Sequence, residues 1–208
     1  MSTKISYAIT ACNEHEELDK LLTHIVTNVP GDDWQIVVQL DQTNATPEVR
    51  SVVDRFMKFI TLTEFPLNNN FAAFKNNLKS VCKGEYIFQI DADEIPSTWL
   101  LENIVTILNG NSTIDLFWVP RINHVDGLTN AHIVKWGWRV DWAGRVNFPD
   151  YQARIFKNVP YISWERPVHE IIKGHRTEGS FPTDDEWCLV HEKTIERQER
   201  QNNFYNTL

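Results

Sequence analysis

The sequence is poor in several features that mark whole classes of proteins. It has 3 cysteines, an odd number without the spacing of a metal site, so the pattern predicts unpaired thiols in a reducing compartment. None of its 8 glycines follows the first predicted strand, where Ala11-Cys12-Asn13-Glu14 stands instead. A sugar-nucleotide-forming nucleotidyltransferase would need a glycine-rich loop with a cation there. No apolar run is long enough to cross a bilayer, so no transmembrane segment is predicted.

Positive charge is also scarce. Lysine and arginine total 20 against 28 acidic residues, and the formal net charge is -8. Nucleic-acid binding needs a concentrated positive field, so no nucleic-acid partner is expected. The first residues lead directly into a strand pattern and not into a signal peptide. Together these patterns predict a soluble, cytoplasmic protein, and 42% hydrophobic residues can fill the core of one domain.

The most informative stretch is 85–96, Glu-Tyr-Ile-Phe-Gln-Ile-Asp-Ala-Asp-Glu-Ile-Pro. It reads as a strand buried on both faces that runs into carboxylates and is stopped by Pro96. Side chains alternate along a strand, so Asp91 and Asp93 are predicted to project to the same side. Two such carboxylates repel each other unless a cation lies between them, and Mg²⁺ or Mn²⁺ fits oxygen ligands of this kind. The alternative is a solvated acidic turn.

Strands and helices alternate through residues 1–110. Strands are predicted at 5–10, 34–40, 59–63 and 85–90, and helices at 16–26, from Thr46 onward, at 70–82 and at 97–108. Gly84 is predicted to cap the third helix at its C-terminus. This order predicts a single α/β domain, with a Rossmann-like, mostly parallel sheet flanked by helices. Residues 1–110 form its first half.

Residues 111–208 differ in character and are predicted to continue the same domain. Strands are predicted at 114–121, 152–156 and 187–190, with irregular loops between them and a closing helix at 194–205. Six of the 8 tryptophans follow residue 110. They are open to two interpretations, a packed core or rings that stack against sugars.

The carboxyl ends of parallel strands meet at one edge, where open α/β sheets bind ligands. Asp41 ends the second predicted strand, and a carboxylate there often binds a ribose or a base. Lys75 precedes the central strand and is predicted to pair with Asp41 or with a phosphate. His191 follows a late strand and is the predicted third metal ligand beside Asp91 and Asp93.

Several fragments, in this order, resemble glycosyltransferase family 2, whose members have the GT-A fold. They are Ala8 to Glu14, Val38 to Asp41, Phe74-Lys75-Asn76, Gly84 to Glu94, Tyr151 to Phe156, and Trp164 with Pro167 to Glu170. Two positions depart from the family pattern. Lys75 stands where arginine is frequent, and Asn68-Asn69-Asn70 replaces a segment that usually contains glycine.

The resemblance implies an enzyme that transfers a sugar from a nucleoside diphosphate donor, with a UDP-sugar favoured. It places the donor's base near Thr10, Asn13 and Asp41. It also implies that Mn²⁺ or Mg²⁺ on Asp93, assisted by Asp91 and His191, holds the diphosphate. Lys75, Asp91 and Arg154 are further donor-binding candidates.

For the acceptor side, the resemblance implies inversion by direct displacement, with a carboxylate as the base. Glu170 is the first candidate for that base and Asp150 the second. A glycan, a lipid-linked sugar and a protein all remain open as acceptors. The alternatives are a non-catalytic relative that binds a glycan or a partner, and a Mg²⁺-dependent phosphoryl-transfer enzyme. The latter normally carries its aspartate pair after the first strand and not after the fourth.

Overall fold

The computed structural model describes residues 4–205, with side-chain positions through residue 202. The first half alternates four strands with four helices. The strands are β1 Ile5–Ala11, β2 Trp34–Asp41, β3 Ile60–Phe65 and β4 Tyr86–Asp91. The helices are α1 His15–Asn28, α2 Pro47–Phe56, α3 Phe71–Val81 and α4 Thr98–Gly110. The predicted order of elements in this half is confirmed.

Helix starts in this half follow the capping residues of the sequence. The Thr46 side chain accepts a hydrogen bond from the Val49 N–H, and Pro47 occupies the first helical turn. Ser97 caps α4 in the same way through the N–H of Leu100. These caps fix where each helix leaves the sheet edge, and so fix the loops that line the site.

The rest of the described chain contains eight short strands, of which β5 lies before residue 110, together with two α-helices and a 3-10 turn at Asp185–Trp187. The strands are β5 Glu94–Pro96, β6 Leu116–Val119, β7 Arg121–Asp126, β8 Gln152–Lys157, β9 Ser163–Glu165, β10 Ile171–Lys173, β11 Glu178–Ser180 and β12 Leu189–Thr194. The helices are α5 Asn130–Trp136 and α6 Ile195–Tyr205. Neither α5 nor the β9–β10 hairpin was predicted from the sequence.

The main sheet has seven strands in the order β11-β6-β8-β4-β1-β2-β3. Strands β3, β2, β1 and β4 pair in parallel, whereas β8 lies antiparallel between β4 and β6. Helices α1, α2 and α4 cover one face of the sheet. Helix α3 and the hairpin residues Trp164 and Ile172 cover the other. The mixed but mostly parallel sheet matches the predicted fold class.

Two expectations for the second half were wrong. The predicted strand 114–121 is two strands, because Pro120 lacks the N–H needed to continue a ladder and β7 leaves the main sheet after it. Strand β7 instead joins β12 and β5 in a separate three-stranded sheet. His191 therefore lies within β12 of this small sheet and does not follow a main-sheet strand.

Gly84 does not cap α3, contrary to the expectation. The cap is Cys82, in an extended conformation. Gly84 instead lies where β4 begins beside β1, and a Cβ there would come 2.5 Å from the Ser6 nitrogen and 2.6 Å from the Ile5 carbonyl carbon. The Gly84 N–H donates to the Ser6 Oγ at 2.8 Å. Close backbone approach, and not a helix end, is the reason for glycine at this position.

Within residues 4–205, no helix combines the length and the apolar character that crossing a membrane requires.

We expect Gly84→Ala to destabilise the fold by about 1–3 kcal/mol, because the added methyl group meets rigid backbone on both sides. Gly110→Ala is the matched control, since a Cβ at Gly110 meets nothing within 4 Å. Urea unfolding of both variants measures the difference. Equal midpoints for Gly84→Ala and the wild type would show that the strands separate without cost.

Candidate functional site

A cavity of about 230 Å³ opens at the carboxyl ends of β1, β2 and β4. Six of the predicted site residues line it, namely Thr10, Asp41, Lys75, Asp91, Asp93 and Glu170. The parallel strands bring their ends to one edge, so residues far apart in sequence converge there as expected. Two donor-side candidates do not line it: Asn13, whose side chain is exposed, and Arg154, which lines a neighbouring cavity.

Asp91 is held by three donors. Its Oδ2 lies 2.6 Å from Arg154 Nη2, and its Oδ1 lies 3.4 Å from Lys75 Nζ and 3.3 Å from Thr10 Oγ1. Burial alone would raise the pKa of Asp91, but the charges of Arg154, Lys75 and Arg121 hold it far below its usual range. Asp91 is therefore an ionised carboxylate that orients two cations.

Glu94 extends this network into the protein interior. Its side chain is fully buried, and Oε1 accepts from Arg154 Nη2 at 2.6 Å and from Arg121 Nη1 at 2.7 Å. A buried carboxylate is tolerated only when it is paired and hydrogen-bonded in this way. Sequence reasoning missed Arg121, which lies beyond the strand break at Pro120.

Asp150, the second candidate base, is saturated with donors. Oδ2 accepts from Arg121 at 2.6 Å and from Asn123 at 2.8 Å, while Oδ1 accepts from Gln152 at 2.8 Å. Burial would raise the pKa of Asp150, but the charge of Arg121 and these hydrogen bonds lower it below its ordinary value. A carboxylate in this state accepts a further proton poorly.

Asp93 and His191 face each other across the edge of the cavity. His191 Nε2 lies 3.2 Å from Asp93 Oδ2, and His191 Nδ1 lies 2.9 Å from Asn123 Oδ1. Because the Asn123 amide nitrogen donates to Asp150, its oxygen must accept from His191, so Nδ1 carries the proton. In the neutral ring, Nε2 then presents a lone pair toward a carboxylate.

This pair fits a divalent cation. An imidazole nitrogen and a carboxylate oxygen are ligands for Mn²⁺, and the Asn123 bond to the far ring nitrogen is the usual means of orienting a metal-bound histidine. The described residues contain no group of three His, Cys, Asp or Glu side chains arranged around one metal position. Burial would raise the pKa of Asp93, but when His191 carries a proton on both ring nitrogens its hydrogen bond and charge lower that pKa overall. Arg197 of α6 also reaches Asp93, at 3.1 Å.

Glu170 follows a turn with an unusual backbone. Arg166 and His169 both have positive φ, at 73° and 55°, which is uncommon outside glycine and clusters at functional loops. The turn brings Glu170 Oε1 to 2.7 Å from Lys75 Nζ, and Lys75 also lies 4.7 Å from the centre of the Trp164 ring. Lys75 therefore pairs with Asp91 and Glu170, and not with Asp41 as one expectation had it.

Asparagines before α3 adopt a backbone conformation that is most common for glycine. Asn68 and Asn69 adopt φ of 45° and 54°, a region that asparagine enters more readily than other side chains. Asn70 then caps α3 by accepting from the Ala73 N–H. Asp41 holds the same loop through the N–H of Leu67. Asparagine therefore provides the positive φ in this loop, in a segment where the family pattern usually contains glycine.

A second cavity of about 410 Å³ lies on the other side of Glu170. It shares Lys75, Asp91, Glu170 and Gln201 with the first, and adds Trp118, Arg121, Gln152, Arg154, Trp164 and His169. Within the described part of the chain, Trp164 Nε1 and Arg154 Nε are buried donors without a hydrogen-bond partner.

The fold and the position of these cavities define the class of the protein. The α/β domain with its mostly parallel sheet has the GT-A fold of glycosyltransferases, which confirms the predicted fold class. The sequence profile described as glycosyl transferase family 2 matches residues 6–166. The chain therefore belongs to glycosyl transferase family 2, as its motifs had indicated. No curated protein matches the chain.

Solved structures of similar shape are distant in sequence. S. aureus TarS 1-349 in complex with UDP-GlcNAc has a TM-score of 0.64 at 12% identity, over 91% of this chain and 58% of that one. Its complex with UDP gives 0.63 at 13% identity, over 91% and 60%. The Pyrobaculum calidifontis mannosyltransferase PcManGT with GDP-Man and Mn²⁺ gives 0.50 at 16%, over 76% and 45%. This chain thus spans about 60% of the TarS fragment.

We expect Arg154→Met to cost about 3–5 kcal/mol at neutral pH, because it leaves Asp91 and the buried Glu94 with too little positive charge. Arg55→Met is the control, since the exposed Arg55–Asp19 pair contributes about 1 kcal/mol or less. Urea unfolding at neutral pH measures both. A loss no larger than that of Arg55→Met would mean that other groups compensate.

The same variant has a predicted pH signature. In the wild type the pKa of Asp91 is lowered on folding, so its contribution to stability is present above the unfolded pKa and is lost as the pH falls. In Arg154→Met, protonation of Asp91 relieves an uncompensated charge. The difference in free energy of unfolding between the variant and the wild type should therefore become smaller as the pH falls from neutral to about 4. A gap that widens in acid would contradict this account.

Proposed function

We propose that the chain transfers a sugar from a nucleoside diphosphate donor to an acceptor hydroxyl, with inversion and with a divalent cation. The observation that carries the proposal is that two cavities share the Asp91 and Glu170 carboxylates, and that Lys75 contacts both of them. Direct displacement needs a donor on one side of a base and an acceptor within reach of it. Membership of glycosyl transferase family 2 supports this reading.

We assign the donor to the cavity at the ends of β1, β2 and β4. Asp41 and Thr10 line it, and we assign them to the base and ribose of the donor. Cys12 also lines it as a neutral thiol, because burial raises its pKa to about 11, with smaller contributions from Glu14 and Asp41. UDP-sugars are favoured because TarS binds UDP and UDP-GlcNAc. GDP-sugars are the second choice, after the mannosyltransferase.

We assign Asp93 and His191 to a Mn²⁺ or Mg²⁺ ion, which would supply positive charge for the diphosphate that leaves. Asp91, the remaining predicted metal ligand, is paired with Arg154 and Lys75, so we assign it the role of holding these two cationic side chains in the site. Lys75 then faces the donor phosphates as a flexible point charge, where an arginine would grip them in a fixed fork.

We assign Glu170 as the base that takes the proton of the acceptor hydroxyl. Among the side chains that the structure describes, Lys75 is its only ion-pair partner, in contrast to the saturated Asp150. Asp150 is then a positioning residue that holds Arg121 and Asn123. Proton transfer by a placed carboxylate contributes roughly two to four orders of magnitude in rate.

Glu170→Gln is expected to lower kcat about 10²- to 10⁴-fold, because the amide cannot accept the hydroxyl proton. Donor affinity should stay near that of the wild type. Glu165→Gln is the control, since Glu165 is an exposed carboxylate on the same hairpin. Transfer or hydrolysis of UDP-sugars, followed by release of UDP, provides the measurement. Near-normal turnover in Glu170→Gln would move the base elsewhere.

Donor binding has its own test in thermal unfolding with UDP-sugars and GDP-sugars, with Mn²⁺ or with chelator. A donor at about one hundred times its Kd should stabilise the protein by about 2.7 kcal/mol. We expect this shift to need the cation and to be lost in Asp93→Asn. A metal-dependent shift without any turnover would favour the non-catalytic binding protein. No shift with any donor would reject the proposed function.

A further inference from the structure

Residues 127–149, here called the Trp142 excursion, lie between β7 of the small sheet and β8 of the main sheet. Its C-terminal end is tied back to β7, because the Arg121 N–H donates to the Asp150 carbonyl at 3.1 Å and the Val146 N–H donates to the Asn123 carbonyl at 2.9 Å. Arg121 and Asn123 are the residues that hold the Asp150 carboxylate. This end of the excursion is therefore joined to the strand that carries Arg121, which lines the 410 Å³ cavity that we take as the acceptor cavity.

The excursion exposes apolar side chains that the domain does not cover. Helix α5, with the sequence Asn-Ala-His-Ile-Val-Lys-Trp, contains no buried residue. Val134 is 82% exposed and Trp142 is 94% exposed, the two highest values among the large hydrophobic side chains described. Val140 is also exposed, at 38%. A helix without a buried face gains no stability from packing on the domain. Its apolar side chains are therefore available to contact another surface.

Trp142 is held out by an ordered turn. The Asp141 carboxylate accepts hydrogen bonds from the N–H groups of Ala143 and Arg145 and from Arg145 Nε at 2.7 Å. Val140 and Val146 close the turn by a β-bridge. Arg145 also pairs with Asp185 at 3.1 Å. The exposed ring therefore stands on a fixed base.

The charge of the excursion is opposite to that of the rest of the chain. Residues 127–149 contain three basic residues, Lys135, Arg139 and Arg145, and a single acid, Asp141. The formal charge of the excursion is therefore +2. The whole chain carries -8, so the remainder carries -10. Among the described residues, Lys135 and Arg139 are exposed and make no ion pair. Two uncompensated cations next to exposed tryptophan and valine are the composition that binds anionic lipid interfaces.

We propose that the Trp142 excursion docks the domain on an anionic phospholipid bilayer. The Trp142 ring and the Val134 side chain enter the interface, and Lys135 and Arg139 contact lipid phosphates. The proposal rests on the proposed function, which it deepens by naming the acceptor class. An acceptor cavity held beside a bilayer takes a sugar or hydroxyl carried on a lipid.

Sedimentation with vesicles tests the docking. Vesicles of phosphatidylcholine with about one-third phosphatidylglycerol should bind the protein more tightly than phosphatidylcholine alone, and added salt should weaken the binding. Trp142→Ser and Val134→Ser should each weaken it about tenfold, since each removes one apolar side chain from the interface. Lys135→Gln with Arg139→Gln should abolish only the preference for the anionic lipid. Met57→Ser and Phe59→Ser, which alter exposed side chains on the α2–β3 turn, should have no effect.

Three outcomes overturn the proposal. The first is absence of binding to either vesicle, and the second is binding that Trp142→Ser and Val134→Ser leave unchanged. The third is a concentration-dependent dimer, seen by light scattering, that these two variants abolish, because the surface would then join two copies of the chain. Donor-induced thermal shifts on the same variants keep the proposals separate. Vesicle binding without any donor shift leaves docking intact and rejects the proposed function.

Discussion

The site depends on one buried arrangement, the Arg154 guanidinium between the Asp91 and Glu94 carboxylates. Arg154 comes from β8, the antiparallel strand inserted between β4 and β6, whereas Asp91 ends β4 and Glu94 begins β5. The insertion of β8 therefore delivers the counter-charge that allows two adjacent carboxylates to remain ionised away from water. Arg121 joins the same cluster from the small sheet, so the packing of the two sheets and the charge balance of the site are one constraint.

The first half of the fold followed from the sequence because its signals are local. Apolar periodicity, the Thr46 and Ser97 caps and Pro47 are each read within one turn of chain, and all of them agree with the tertiary structure. The second half was harder to predict, because its strands are three to six residues long and pair across large sequence distances. The single residue Pro120 redirects β7 into another sheet, and its effect is visible only once a partner strand such as β12 is known.

The site was predicted in part for the same reason. Asp91, Asp93, Asp41 and Lys75 converge because the ends of parallel strands must. The ion pairs among these side chains could not be predicted from the sequence. Whether Lys75 contacts Asp41 or Glu170 depends on a turn with positive φ at Arg166 and His169. Arg121, Asn123 and Arg197 gave no signal, because a lone polar residue on an irregular segment looks like any solvated side chain.

The Lys75 ammonium, shared between Asp91 and Glu170, has a consequence for the order of events. A ligand charge that attracts the ammonium in one cavity alters the electric field that Glu170 experiences in the other. By thermodynamic linkage the effect is reciprocal, so each cavity's affinity depends on whether the other is filled. A lysine suits this sharing, since its flexible stem allows small shifts that a planar guanidinium resists. In the proposed transfer, donor binding and acceptor binding would thus be coupled through this single side chain.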